Sequence, residues 1–117
     1  MRIIFIFVLS FIGCDTDRNI PVELAHQKLG DSDVLFLDLR TREEYVNEGR
    51  IKNALLIPVN VLEKRLGKLK QHQEKEIIVY CRSGRRSQIA TDILIRNNFY
   101  AYNMVGRFLA WKDHKHP

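Results

Sequence analysis

Apolar residues gather in short runs along this chain, and the stretches between those runs follow a helical period. "VLFL" at 34–37, "ALLI" at 54–57 and "IIVY" at 77–80 are apolar throughout. Runs this short without alternation predict strands covered on both faces. The strand in "EIIVYC" is expected to be the most central, and "FYAYNM" reads as the last strand. "IPVELAHQKLG" predicts a short helix with Pro21 in its first turn, Leu24, Lys28 and Leu29 near one face, and Gly30 at its end. "TREEY" places Glu44 three residues after Thr41, a capping box that opens a helix running to about Glu48 and closed at Gly49. "NVLEKRLGKL" predicts an amphipathic helix with Asn60 as N-cap, Glu63 at N3 and Leu62, Leu66 and Leu69 on one side. "RRSQIATDILIRNN" predicts a longer helix that turns Ile89, Ala90, Ile93 and Leu94 inward and is capped at Asn97 or Asn98. "GRFLAW" predicts a terminal helix, and "KDHKHP" a solvated tail.

Strands alternating with helices predict an α/β fold, with a mainly parallel central sheet and helices on both faces. In such sheets ligands bind beyond the carboxyl ends of the strands. Cys81 falls at one of those ends.

The first stretch differs from the rest. "MRIIFIFVLSFIGC" has Arg2, then ten residues from Ile3 to Ile12, nine of them apolar. That suits a signal peptide and falls well short of the roughly 20 residues a spanning helix needs. Gly13 and Cys14 follow, then polar "DTDRN". The arrangement resembles the lipobox of bacterial lipoproteins, with Phe11 where Leu is usual. The expected organisation is a signal peptide over 1–13 cleaved before a lipidated Cys14, a tether over 14–19, and one domain over 20–117. A non-lipidated signal or an apolar first strand are the alternatives. On the lipoprotein reading the domain is exported and held on the periplasmic side, and Asp15 resembles a signal for retention at the inner membrane. Only two cysteines are present, so a lipidated Cys14 leaves Cys81 without an internal disulfide partner. Two lone cysteines also fall short of a metal site, and none is expected.

The chain has 117 residues and a formal net charge of +5, which favours anionic partners without choosing among them. The basic run "KRLGKLK" lacks interleaved aromatics and reads as the wet face of a helix, so no nucleic-acid partner is expected.

"CRSGRRS", residues 81–87, carries the candidate chemistry. An apolar strand leads into Cys81 and a helix begins near Arg86 or Ser87. Gly84 lets the backbone curl around the sulfur, so that loop N–H groups and a helix N-terminus point at it. Arg82, Arg85 and Arg86 add full charges. Together these favour a thiolate over a thiol and draw an anion to it. Cys81 is therefore the candidate nucleophile, with Arg82, Ser83, Gly84, Arg85, Arg86 and Ser87 as the substrate-binding loop.

This loop is similar to the active-site loop of the rhodanese (sulfurtransferase) family. "LDLRTREEYVNEGRIKNALLIP" resembles the family's upstream signature through Asp38, Arg40, Glu44, Tyr45, Gly49, Ile51, Ala54 and Pro58. "NMVGRFLAW" resembles its closing segment through Gly106 and Trp111. Arg50, Asn53 and Arg107 depart from the family's usual His, Gly and Gly. The resemblance spans about residues 20–113. It implies transfer of a sulfane sulfur from thiosulfate or a similar anion, through a Cys81 persulfide, to cyanide or a thiol, with no metal or organic cofactor. Asp38, Arg40 and Glu44 are expected to support the loop structurally.

Two other functions compete. Phosphatases and arsenate reductases of related fold use Cys, five residues, then Arg. Here Arg86 stands five positions after Cys81, one residue short of that cradle. A persulfide relay or binding module serving a protein partner is the other alternative. His26 and His72 read as surface residues, His114 and His116 as part of the tail, and Trp111 as core or pocket wall.

Overall fold

Successive side chains of a strand leave the sheet on opposite faces. Along the central strand and the residue that follows it, Ile77, Val79 and Cys81 join one buried cluster, while Ile78 and Tyr80 join the other. That double burial is why the run carries no polar alternation. The structure is a computed structural model and describes residues 18–82, 84–106 and 108–114. Residues 1–13, Cys14, Ser83, Arg107 and His116 lie outside the described residues.

Among the described residues, five parallel strands form one sheet: β1 (Asn19–Pro21), β2 (Val34–Asp38), β3 (Leu55–Leu56), β4 (Glu76–Tyr80) and β5 (Tyr100–Val105), in the spatial order β1-β5-β4-β2-β3. The helices are α1 (Val22–Gln27), α2 (Arg42–Asn47), α3 (Leu66–Leu69), α4 (Arg85–Arg96) and α5 (Phe108–His114). Cys81 with Leu37, Val79, Ala90, Leu94 and Ala101 belongs to one core cluster, which α4 helps to cover. Val22 and Ala25 of α1 and Phe108 and Trp111 of α5 help to close the other.

Several local expectations are corrected. Leu24 and Leu29 are exposed, and α1 packs instead through Val22 and Ala25. The reason is β1, which takes the last residue of the expected tether, Asn19, together with Ile20 and Pro21 from the start of the expected helix. Pairing of Asn19–Pro21 with Asn103–Val105 fixes where the helix starts, and hence which side of its few turns faces inward. The segment after Pro58 is not one capped helix. It is a series of 3₁₀ turns around the four-residue α3, and Asn60 lies inside the first of them, Val59–Val61, whose N-cap is Pro58. Gly67, a poor helix former, sits inside it. Leu62 and Leu69 are nonetheless fully buried, so the apolar spacing held although the helix did not. On α4, Ile89 is exposed while Ser87 and Thr91 are buried with Ala90, Ile93 and Leu94. Thr91 Oγ1 donates to Ser87 O at 2.7 Å, which satisfies its hydroxyl within the core side of the helix.

Candidate active site

Cys81 is only 2% exposed and sits just past the carboxyl end of β4. Gly84 N–H donates to Sγ at 3.0 Å and Ser87 N–H at 3.2 Å. Gly84 can do this because it caps α4 at φ +93°, a left-handed conformation that residues with a Cβ rarely adopt. The twelve-residue α4 adds the positive end of its dipole at the same place. The expected nest is thus present, with Gly84 and Ser87 as its donors among the described residues. Negative charge on the sulfur, or on an atom bonded to it, meets N–H groups already in position.

Of the arginines expected to add full charges at the sulfur, Arg82 and Arg86 are paired with carboxylates. Arg86 donates from both terminal nitrogens to Glu44, at 3.0 and 3.2 Å. Arg82 is half exposed and lies 3.8 Å from Glu44 and 3.5 Å from Glu48. The side chain of Arg85 is exposed. Helix α2 therefore lends carboxylates that partly neutralise the loop and hold its shape. A groove of about 460 Å³ opens between them, lined by Thr41, Glu43, Glu44, Asn47, Glu48 and Arg82.

Glu44 serves both structures at once. It closes the capping box on Thr41, with Thr41 N–H donating to Oε1 at 2.8 Å, and it anchors Arg86. The Arg86 hydrogen bonds, against an opposing effect of burial and helped by Thr41 N–H, hold its carboxyl at about 2 instead of 4.5. A depressed carboxyl contributes stability that is present above pH 4.5 and lost as pH falls toward 2. Glu44→Gln has no such proton to take up. Denaturant unfolding across that acid range is therefore expected to show a shallower loss for the variant than for the wild type. Equal slopes would remove Glu44 from the acid response.

Beneath the loop, Asp38 and Arg40 are both fully buried. Arg40 Nη2 donates to Asp38 Oδ2 at 2.7 Å and to Gly49 O at 2.6 Å, and its guanidinium lies 4.3 Å from the Phe108 ring centre. Burial works against the charged guanidinium, yet the hydrogen bonds and charge of Asp38 outweigh it and raise its pKa. Tyr80 O–H donates to Asp38 Oδ2 at 2.9 Å and accepts from Ile51 N–H at 3.1 Å. Burial, then the Asp38 charge, raises the Tyr80 phenol well above its ordinary value. Phe108 N–H in turn donates to Cys81 O at 3.3 Å. Asp38 and Arg40 thus brace the residues on either side of the nucleophile.

Two site residues were not visible in the sequence. Asn103 on β5 accepts from the Ser87 hydroxyl, and Tyr80 ties Asp38 to Ile51. Each stands in an apolar run, where only a strand register reveals what it faces. The departures at 50 and 53 have clear local roles. Asn53 takes φ 63°, the left-handed conformation that Asn tolerates better than most residues. Arg50 Nη1 donates to Tyr45 O at 3.2 Å and its guanidinium lies over the Tyr45 ring. His26 is not a free surface residue: its ring stacks on Trp111 with centroids 3.7 Å apart. His72 is half-buried, and burial, then nearby Lys75, lowers its pKa.

The rhodanese-like domain family matches residues 21–114. The chain belongs to the rhodanese family. A "Sulfurtransferase" of Allochromatium vinosum is 33% identical over 86% of this chain and 92% of its own length. A tRNA uridine(34) hydroxylase of Salmonella arizonae is 36% identical over 77% of this chain, which spans 27% of that protein. A solved rhodanese-like domain protein from Staphylococcus aureus superimposes with a TM-score of 0.73 at 30% identity, covering 84% of this chain and 94% of that one. Within the family, this chain is of the sulfurtransferase type.

Proposed function

We propose that this protein transfers a sulfane sulfur from thiosulfate, or an anion like it, to a thiophilic acceptor through a persulfide on Cys81. The observation that carries this is the pair of N–H donors at 3.0 and 3.2 Å on Cys81 Sγ, at a helix N-terminus. The Cys81 thiolate attacks the outer sulfur of thiosulfate. A new S–S bond forms as the old one breaks, and sulfite leaves with the electron pair. The transferable sulfur then stands about 2 Å beyond Sγ, one S–S bond length out from a nearly closed site. Cyanide or a thiolate attacks that outer sulfur, leaves as thiocyanate or a persulfide, and returns the Cys81 thiolate. Arg86 supports this over phosphate chemistry, because its guanidinium is spent on Glu44 and the loop is one residue short. Mass spectrometry of Cys81 tests the reading. Thiosulfate or polysulfide adds one sulfur, and cyanide or a thiol removes it. A cysteine that stays unchanged with every donor would refute it. Discharge by protein thiols alone would make the chain a relay for a dedicated partner.

The proposal extends to place. Residues 1–13 act as a cleaved leader, and Cys14 carries the lipid that holds the domain on the periplasmic side, with the inner membrane favoured by Asp15. The short apolar run and the polar stretch after Cys14 support this. More than one acyl chain makes such anchoring stable. Fractionation is expected to find the wild type with the membrane, and Cys14→Ala retained as an unprocessed precursor or released. A wild type recovered from the cytoplasm with Met1 intact would end this part of the proposal and leave the sulfur chemistry standing.

A further inference from the structure

A line of side-chain hydrogen bonds runs from the surface of α4 to the sulfur, and a carboxylate fixes its direction. The Asp92 carboxylate can only accept, so Gln88 presents Nε2–H to it, at 3.3 Å. That turns Gln88 Oε1 toward Asn103, whose Nδ2–H donates to it at 3.2 Å. The same nitrogen faces Asn19 Oδ1 at 3.4 Å. Asn103 Oδ1 is left facing Ser87, and the Ser87 hydroxyl donates to it. Ser87 Oγ then has a lone pair toward Cys81 and accepts from Sγ at 3.5 Å. Ser87 is fully buried and Asn103 nearly so.

We propose that Asn103 is a positioning residue for sulfur transfer, holding the Ser87 hydroxyl so that it serves Cys81 Sγ as the charge on that sulfur changes. The inference rests on the persulfide chemistry above. A hydroxyl has one donor and two acceptor positions. With its proton on Asn103 Oδ1, Ser87 turns a lone pair of its oxygen toward Sγ. When Sγ is anionic, before attack on the donor and again as the persulfide is discharged, the same hydroxyl turns its proton to the sulfur. Asn103 is where that proton rests between the two events. Without Asn103 the hydroxyl has Gly84 O, at 3.1 Å, as its remaining acceptor, and β5 no longer sets its direction relative to Sγ.

Steady-state kinetics with thiosulfate and cyanide test this by a double-mutant cycle. Ser87→Ala is expected to lower kcat about tenfold, the worth of one hydrogen bond to a charged group, with KM for thiosulfate within about twofold. Asn103→Ala is expected to lower kcat about fivefold in the wild type and to have no further effect in Ser87→Ala. Ser87→Thr, which keeps the hydroxyl, restores most of kcat. Gln88→Leu, on the exposed side of α4, loosens the same line without touching the core. It lowers kcat about twofold only where Ser87 is present, and settles the matter if Asn103→Ala does not fold. Losses that multiply, or that fall on KM, would overturn the inference. Mass spectrometry of the wild type separates the two levels. Failure of Cys81 to gain sulfur refutes the persulfide reading itself, whereas normal loading with multiplying losses refutes the role of Asn103 alone.

Discussion

Cys81→Ser is expected to leave a folded protein that transfers no sulfur. The serine oxygen occupies nearly the same volume and can still accept from Gly84 N–H and Ser87 N–H, which donate to Sγ in the native chain. It cannot form or release a persulfide. Activity with thiosulfate and cyanide is expected to fall by more than about a thousandfold, as when a covalent nucleophile is removed. The unfolding midpoint in urea is expected to move little, since the buried volume is kept. Retained turnover in this variant would dismiss the covalent route. A collapse of stability would show that the sulfur holds the loop together instead of serving it.

The second large effect concerns stability. Arg40→Leu leaves Asp38 buried without its bidentate partner, and Asp38 and Arg40 are both 0% exposed. Removing one member of such a pair is expected to cost about 3–5 kcal/mol, because the remaining charge has no solvent to turn to. Loss of the bond to Gly49 O adds to this. Replacing both residues by apolar ones of similar volume is expected to cost less than the single change. Urea unfolding measures all three. A single-variant loss under about 1 kcal/mol would mean that water or Tyr80 stands in for Arg40. The effect on sulfur transfer follows through geometry: Tyr80 precedes Cys81, and Phe108 holds Cys81 O.

The sequence revealed the site better than the packing around it. Short apolar runs located β2 and β4 because double burial removes polar residues from a strand, and Thr41 and Glu44 announced α2 because a capping box is a local device. The Cys81 loop was legible for the same reason, since its glycine and its donors lie within six residues of the sulfur. What escaped were properties of register. β1 has three residues, too few to show a period, and it decides which face of α1 is buried. Ile89 looks like a core residue, but the inward positions go to Ser87 and Thr91, whose hydroxyls find partners across the helix and on β5. The pairing of Arg86 with Glu44 joins residues 42 positions apart, and no local signal announces it.

The place of β1 has a mechanical consequence. The chain enters the sheet at Asn19, level with Asn103, and the first strand lies against the last. A pull on the segment before Arg18 is carried first by the three-residue pairing with β5, including the bond from Asn103 N–H to Arg18 O. Asn19 also receives the second Nδ2 bond of Asn103. Force on the leading end of the domain is therefore delivered to the strand that touches Ser87. Peeling β1 away strips a partner from Asn103 before it disturbs the pairing of β4 with β2, so tension would register at the sulfur's surroundings while the rest of the sheet still held.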